Sequence, residues 1–274
     1  MKKFLVLMLA LALVFTFAAC NTPSNDGNDT PTETPENTPA APKDDPTVKS
    51  EGVMTHAEYI AADLEAAVVI EAYVQAKQSW YKEQCTVYLA DPDGAYLAYN
   101  MACSEADYAK LVKGAKIRVT GYKAEWSGEV EIGAGATFEL LEGNYVAPIF
   151  DATSLLANTE ELLKHQNEFV SFKGLTVAPS KDKDGKDVAF LYNWDGSGAA
   201  GSDSDLYFNV SLGDQTFQFV VEYYVCDANG VYGAETDVYK AVQNLKIGDV
   251  IDLEGFLYWY NGAQPHVTSV KTVG

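Results

Sequence analysis

The sequence has very little positive charge. Arg118 is its only arginine, and 39 acidic residues against 19 lysines and arginines give a formal net charge of −20. Proteins that bind nucleic acids gain much of their affinity by neutralising phosphates with Lys and Arg. The charge therefore argues against a nucleic-acid partner. It also favours solubility, so it does not by itself require any partner.

Catalytic and metal-binding motifs are missing as well. The sequence has no nucleophile elbow, no phosphate-binding glycine loop and no HExxH. Its three histidines, His56, His165 and His266, are scattered along the chain. Only a cleft with two close, desolvated carboxylates would favour a glycoside hydrolase. We therefore predict a protein without catalytic activity and without a required cofactor.

Cysteine is scarce beyond residue 20. Cys85, Cys103 and Cys226 are an odd number for a disulfide framework, and their spacing fits no metal-ligand pattern. Cys85 and Cys103 flank the turn DPDG (91–94) almost symmetrically. A disulfide across a hairpin and buried free thiols are both open alternatives.

The first twenty residues have the pattern of a secretory signal. Lys2 and Lys3 precede the apolar run FLVLMLALALVFTFAA, which ends in small residues before Cys20. The closing FAAC resembles the lipobox of bacterial lipoproteins, in which the cysteine is acylated. This resemblance implies a removed signal peptide (1–19) and a membrane anchor on lipidated Cys20. The implied location is extracytoplasmic, on the outer face of the bacterial cell membrane.

Residues 20–50 have the composition of a linker. They contain six of the ten prolines, several Thr and Asn, and no aromatic residue. Such a segment cannot bury enough apolar surface to offset the entropy of ordering. We predict a disordered Pro/Thr/Asn-rich linker.

A duplicated pattern organises the rest of the chain. LVKGAKIRVTGYKAEWSG (111–128) aligns without a gap with LKIGDVIDLEGFLYWYNG (245–262), and AVVIEAYVQA (67–76) aligns with FVSFKGLTVA (169–178). The two offsets differ by 32 residues, which the second copy carries between these segments. Internal similarity of this kind indicates a duplicated domain. We predict one domain at 51–147 and a second, enlarged one at 148–274.

Both copies share one order of elements: three strands, a short helix and two strands. Thr55 with Glu58 predicts a helix start, DPDG predicts a hairpin turn, and Ser104 predicts the second helix start. In the first copy the last two strands are predicted at 115–126 and 136–141. This order resembles the OB-fold, a five-stranded Greek-key barrel. We therefore predict a mainly β protein with two tandem OB-like barrels and short helices.

The whole chain also resembles tandem OB-like lipoproteins of gut-dwelling Gram-positive bacteria. This resemblance rests on the leader, the element order and the glycine placement quoted above. It implies a cellular location and a fold, but it implies no activity.

Glycines indicate where the strands bend. Apolar residues have odd numbers before Gly121 and even numbers after it, and Gly174 shows a similar change of face. We predict a β-bulge at each of these glycines. Leu257 and Trp259 would then point outward from the second barrel. The aromatic residues expected in the interior or at the rim are Tyr122, Trp126, Phe256, Tyr258 and Tyr260.

Binding is the function class that remains. OB-folds bind oligonucleotides or oligosaccharides on the face of strands 2 and 3 and on the adjoining loops. In the first copy, the aromatic residues near this face are Trp80, Tyr81, Tyr88, Tyr96 and Tyr99. In the enlarged second copy, the candidate ligand-binding residues are Tyr192, Trp194, Tyr207, Tyr223 and Trp259. Trp259 has a second interpretation, packing against the neighbouring domain.

Charge narrows the ligand class. Single-strand binders pair stacking aromatics with a cationic groove, which this acidic chain lacks. The sequence therefore predicts a lipid-anchored binding or scaffolding protein whose ligand is a neutral glycan, or a protein or peptide. The alternatives are an oligonucleotide- or nucleotide-binding OB-fold protein and a surface hydrolase.

Two acidic loops, 182–187 and 195–205, are candidates for calcium, which prefers oxygen ligands. The first lacks the EF-hand order, because Asn193 stands where the bidentate glutamate would be. DKDG is also a good hairpin turn by itself. We assign no metal site, and calcium stays the one open cofactor. The candidate ligands are Asp182, Asp184, Asp195, Asp203 and Asp205.

Overall fold

The computed structural model describes residues 45–273, which contain two closed β-barrels. The predicted signal peptide (1–19) and lipidation at Cys20 lie outside the described residues. Within 45–273, none of the helices is long and apolar enough to span a membrane. Lys49, predicted to lie in the linker, forms an ion pair with Asp91 of the first barrel.

The first barrel is formed by strands and two short helices. In chain order the elements are α1 (His56–Ala61), β1 (Ala67–Lys77), β2 (Gln84–Asp91), β3 (Gly94–Ala102), α2 (Glu105–Tyr108), β4 (Ala115–Trp126), β5 (Glu129–Ile132) and β6 (Thr137–Asn144). They have OB-fold topology: the strand order is β1-β2-β3-β5-β4, and β4 pairs back with β1 to close the ring. β3 and β5 pair in parallel, and the other neighbours around the ring are antiparallel. The strand predicted at 136–141 is β6, which extends the sheet beside β4 outside the ring.

The second barrel repeats this topology. Its elements are β7 (Phe150–Asp151), α3 (Thr159–Leu163), β8 (Phe169–Ala178), β9 (Ser180–Lys181), β10 (Asp187–Val188), β11 (Leu191–Tyr192), β12 (Leu206–Leu212), β13 (Gln215–Val221), α4 (Asp237–Gln243), β14 (Val250–Phe256) and β15 (His266–Thr272). The ring runs β8-β12-β13-β15-β14 and closes through β14 and β8, with β13 and β15 parallel. The extra residues of this copy lie between β8 and β12. The predicted mainly β fold with two OB-like barrels is confirmed.

Local sequence signals explain where several elements begin. The Thr55 hydroxyl accepts from the Glu58 amide, and the Glu58 carboxylate accepts from the Thr55 amide at 2.8 Å, which is the predicted capping box. Ser104 caps α2. In the DPDG turn, Asp91 Oδ1 accepts from the amides of Asp93 and Gly94.

The bulge predicted at Gly174 is confirmed. Its φ is +65°, and the pairing of β8 with β14 shifts across it. Ile251 pairs with Leu175, whereas Leu253 pairs with Phe172. The extra residue changes the face on which side chains lie.

The bulge predicted at Gly121 is wrong. β1 pairs with β4 in unbroken register through this glycine, and Val119 and Lys123 on either side are both buried. Gly121 instead provides space, because a Cβ there would lie 2.7 Å from Ile132. The buried Lys123 is satisfied by donating to the carbonyl oxygens at the end of α1, including that of Ile60 at 2.6 Å.

Four aromatic and aliphatic side chains lie on a different face from the one predicted. Tyr122 and Trp126, expected at the barrel interior or rim, are 65% and 61% exposed. Leu257 and Trp259, expected to point outward, are instead buried in the core cluster of the second barrel. The physical reason is that β4 keeps its alternation, while Phe256 turns toward the first barrel.

The second barrel covers the strand 2–3 face of the first. Tyr88 on β2 and Leu97 on β3 pack against Val225 and Phe256. The Tyr88 and Phe256 rings stack with 4.3 Å between centroids. An antiparallel bridge between Gln78 and Val225 continues this contact. The face by which the first barrel could bind a ligand is therefore largely used for the contact between the barrels.

Trp259 lies at the same contact. It is 6% exposed, and a Cβ on Gly128 of the first barrel would lie 2.8 Å from its Cδ1. Its backbone amide donates to Glu129 Oε2 at 2.8 Å. Of the two interpretations of Trp259, packing between the domains is the one found, and a role as an exposed ligand platform is wrong.

Glu129 is fully buried beside Trp259. Burial raises the pKa of Glu129 to about 8, partly offset by its neighbour Asn167 and by the Trp259 amide. In the described part of the chain, Glu129 Oε1 and Asn167 Oδ1 have no hydrogen-bond partner. Burial therefore favours the neutral form of Glu129 between the barrels, and a protonated carboxyl can donate as well as accept a hydrogen bond.

Candidate ligand-binding cleft

A cleft of about 670 Å³ opens on the strand 2–3 face of the second barrel. β12 and β13 contribute its floor, the loops before β12 and after β14 contribute one wall, and the first barrel contributes the other. Its aromatic residues are Trp126, Trp194, Tyr207, Tyr258 and Tyr260. Its side-chain amides are Gln78, Gln218, Asn261 and Gln264, and its titratable polar groups besides the tyrosines are Glu222 and His266.

Strand alternation positions the floor. Leu206 and Phe208 are buried in the core of the second barrel, so Tyr207 between them faces outward. Gln218 pairs with Asn209 on the same outer face. The alternation of β12 and β13 therefore separates core side chains from cleft side chains.

Trp194 lies on a tight turn after β11. Asn193 has a φ of +61°, and the Gly196 amide donates to the Asn193 carbonyl at 3.1 Å. The Asn193 amide donates in turn to the Asp205 carbonyl at 2.8 Å, which fastens the loop to the start of β12. This turn leaves Trp194 72% exposed. Together with the other aromatic residues of the cleft, Trp194 forms an apolar surface rimmed by polar side chains, which is typical of ligand-binding grooves.

Trp126 reaches the cleft from the first barrel. It ends β4, and the next residue, Ser127, accepts a hydrogen bond from the Asn261 amide at 2.7 Å. That bond connects the β4–β5 turn of one barrel to the β14–β15 loop of the other. The contact between the barrels therefore sets the position of Trp126 relative to Tyr260 and Asn261.

Glu222 is the acidic residue of the cleft. Gln78 Nε2 donates to Glu222 Oε2 at 2.7 Å. Burial, and then the charge of Asp205, raise the pKa of Glu222 to about 7. No lysine or arginine of the described chain lines the cleft.

His266 contributes a neutral ring. Its Nδ1 is 2.6 Å from Tyr88 Oη, and its ring stacks on Tyr258 at 4.1 Å between centroids. Burial lowers the pKa of His266 to about 3. The imidazole is therefore uncharged at neutral pH and adds no cation to the cleft.

Among the described residues that line the cleft, Glu222 is the one carboxyl group. Asp205 precedes β12, close to Glu222 at the end of β13, but it does not line the cleft. Its Oδ1 accepts from the Tyr223 amide at 2.8 Å. Glycosidases need two carboxyl groups that flank one bond of the substrate. Within the described residues, this pair does not flank the space of the cleft.

The candidate ligand-binding residues of the second copy lie in different places in the structure. Trp194 and Tyr207 both line the cleft, and Trp259 is buried between the barrels. Tyr192 does not line it, and its hydroxyl accepts from Gln243 Nε2 at 3.0 Å. Tyr223 likewise lies away from the cleft, beside α4. Trp126 and Gln78 were not predicted as site residues, because nothing in their local pattern shows that a second barrel approaches them.

The aromatic residues of the first copy have other surroundings. Tyr96 is fully buried in the first-barrel core, and Tyr88 stacks between the barrels. The Trp80 indole donates to the Cys103 carbonyl at 2.8 Å. Tyr81 and Tyr99 are exposed outside the cleft.

The acidic loops use carboxylates for local turns. Asp182 Oδ1 accepts from the amides of Asp184 and Lys186, and Asp195 Oδ1 accepts from Ser197. Across residues 45–273, no group of three or more His, Cys, Asp or Glu residues is arranged to hold a metal ion. The calcium hypothesis therefore gains no support from Asp203 or Asp205 either. Cys85, Cys103 and Cys226 are buried free thiols.

Comparison with known proteins gives distant likenesses only. No family model and no curated protein matches the chain. A structure described as a murine DNA binding protein bound with double-stranded DNA is 11% identical, with a TM-score of 0.32, over 75% of this chain and 98% of that one. The Ifi202 HINa domain in complex with 20-bp double-stranded DNA is 11% identical, with a TM-score of 0.33 and the same coverage. A replication protein A heterotrimer bound to single-stranded DNA is 12% identical, with a TM-score of 0.26, over 76% of this chain and 52% of that one. The assignment of both barrels to the OB-fold stands on their strand order.

Proposed function

We propose that the protein binds a glycan free of acidic groups in the cleft of its second barrel. The observation that carries this proposal is the pair of exposed tryptophans, Trp126 and Trp194, at the mouth of an amide-rich cleft. Aromatic faces cover the apolar faces of sugar rings, and side-chain amides can both donate to and accept from hydroxyl groups. The neutral glycan predicted from the sequence is the simplest ligand of this class.

Charge supports the choice of ligand. Glu222 is the carboxyl group of the lining, and no described lysine or arginine accompanies it. A sulfated, phosphorylated or uronic-acid ligand would have to bury its negative charge beside Glu222 without a counter-ion, which is costly. Ligands without acidic groups avoid this cost.

We also propose that the protein acts at the outer face of a bacterial cell membrane, held by lipidated Cys20. The support is the leader sequence, with its basic start, apolar run and FAAC. Binding without catalysis suits such an anchored protein, because the anchor keeps the bound glycan near the membrane.

A single-stranded oligonucleotide is the second candidate ligand. The cleft occupies the face that OB-folds use for oligonucleotides as well as oligosaccharides, and bases stack on aromatic side chains. The absence of a cation among the described lining residues weighs against it.

The proposed function is tested by screening the full-length protein against oligosaccharides with and without acidic groups, and against oligothymidylate. We expect binding among the oligosaccharides without acidic groups, and none of acidic oligosaccharides or oligothymidylate at physiological salt. Binding of oligothymidylate alone would support the second candidate. Failure of a broad set of non-acidic glycans to bind would contradict the proposal.

A further inference from the structure

Glu222 belongs to a pair of neighbouring carboxyl groups. Asp205 precedes β12 and Glu222 follows β13, so each is next to the last paired residues of the two strands, Leu206 and Val221. The charge of Asp205 acts on Glu222, and like charges held close together across two strands destabilise each other. Both carboxyl groups are partly buried.

The described groups around Glu222 in the cleft carry no positive charge. The first barrel presents Gln78 and Tyr88 toward Glu222, and the second presents Tyr207, Tyr224, Cys226, Tyr258 and His266. His266 is uncharged, for the reason given above, and no described lysine or arginine lines the cleft. The hydrogen bonds of the pair come from neutral donors, Gln78 Nε2 to Glu222 and the Tyr223 amide to Asp205.

The rest of the lining also favours a cation. Trp126, Trp194, Tyr207, Tyr258 and Tyr260 line the cleft that contains Glu222. The faces of aromatic rings attract cations, most strongly those of tryptophan, and quaternary ammonium groups are recognised by cages of such rings. Aromatic rings and a carboxylate therefore favour the same kind of ligand group, an ammonium.

We propose that Glu222 is a specificity residue and that the bound glycan presents a positively charged amine to it. This inference rests on the proposed function, and it names the ligand more closely: a sugar with a free amino group, preferred over its N-acetylated or hydroxylated counterpart. Ionised Glu222 accepts a charge-assisted hydrogen bond from the ammonium, which an acetamide or hydroxyl group replaces with a weaker one.

The test compares three β-1,4-linked tetramers, of glucosamine, N-acetylglucosamine and glucose, binding to the full-length protein at pH 7. We expect the glucosamine tetramer to bind about tenfold more tightly than the other two, the size expected of one charge-assisted hydrogen bond. In the Glu222→Gln variant, the affinities for the three tetramers should be nearly equal. The matched control is Glu142→Gln, which changes an exposed glutamate outside the cleft and should keep the preference.

The pH profile separates a contact with the ligand from a structural role. Affinity for the glucosamine tetramer should fall below pH 7, as Glu222 takes up a proton, and should also fall as the pH rises through the pKa of the sugar amine, as that amine loses its proton. The Glu222→Gln variant should lose the fall in affinity at acid pH (the acid limb). Asp205→Asn removes the neighbouring charge but keeps Glu222, so it should retain the preference and move the acid limb to lower pH.

The outcomes distinguish this inference from the proposed function. Equal affinities for the three tetramers, or a preference that survives Glu222→Gln, would overturn the amine contact and leave glycan binding intact. Binding of no tetramer, combined with no hit among non-acidic glycans in the wider screen, would overturn both. If Glu222→Gln does not fold, an acid limb that stays in place in Asp205→Asn would overturn the inference.

Discussion

Trp194→Ala is expected to weaken glycan binding by about 10- to 100-fold, as measured by titration calorimetry. Tryptophans that act as hot spots of a binding surface commonly cost about 2 kcal/mol or more when truncated, and each 1.4 kcal/mol is a factor of ten. Trp194 is 72% exposed, so its side chain has few protein contacts to lose. The free energy of unfolding should therefore change by less than about 0.5 kcal/mol.

The control for this variant is Tyr122→Ala. Tyr122 is 65% exposed on the first barrel but does not line the cleft. Its replacement should leave both binding and stability close to those of the wild type. An affinity that Trp194→Ala leaves unchanged would mean that the ligand does not touch the mouth of the cleft.

Trp259→Ala is expected to lower the free energy of unfolding by about 3–5 kcal/mol. Truncation of a buried tryptophan loses its transfer free energy and leaves a cavity. Trp259 is 6% exposed, packs in the second-barrel core and contacts Gly128 of the first barrel. The cavity would therefore open where the two barrels meet.

Urea unfolding of the full-length protein measures this effect. Trp259→Phe, which keeps most of the apolar volume, should lose less stability than Trp259→Ala. The same substitution at two tryptophans thus separates the two roles, since Trp194→Ala should affect binding and Trp259→Ala should affect stability. A Trp259→Ala protein as stable as the wild type would contradict its placement between the barrels.

Much of the fold could be predicted because its signals are local or repeated. The capping box at Thr55, the hairpin turn from Asp91 to Gly94 and the cap at Ser104 each depend on residues within four positions of one another. The internal repeat then indicated that both halves share one topology. Gly174 was identified correctly as a bulge because both neighbouring segments show clear alternation.

Predictions that depended on contacts between distant strands were less successful. The strand β5, Glu129–Ile132, was missed because its sequence EVEI carries two glutamates, both of which are buried in the structure. At Gly121 the even-numbered aromatics suggested a change of face. The buried odd position after it is Lys123, whose ammonium is satisfied by carbonyl groups of α1. Sequence alternation alone cannot show such a partner.

The candidate site was predicted in part. The strand 2–3 face of the second copy is where the cleft lies, and Trp194 and Tyr207 line it. Trp126 and Gln78 could not be found because they belong to the other barrel. The sequence around Trp259 does not distinguish it from Trp194. Trp259 is buried because Gly128 of the first barrel lies against it, whereas Trp194 is exposed.

The duplication explains why the two barrels have different roles. The strand 2–3 face of the first barrel packs on the second through Tyr88 and Phe256. The corresponding face of the second barrel stays open and gains Trp126 and Gln78 as a wall. One copy therefore supports and completes the site of the other.

The most direct test follows the four indole N–H signals by NMR while the best non-acidic oligosaccharide from the screen is added. The central claim is that one ligand lies between both barrels at the cleft. It predicts that the signals of Trp126 and Trp194 shift together with one affinity. The signals of Trp80, whose indole donates to the Cys103 carbonyl, and of buried Trp259 should stay in place. Saturable binding that leaves Trp126 and Trp194 unmoved would contradict the account.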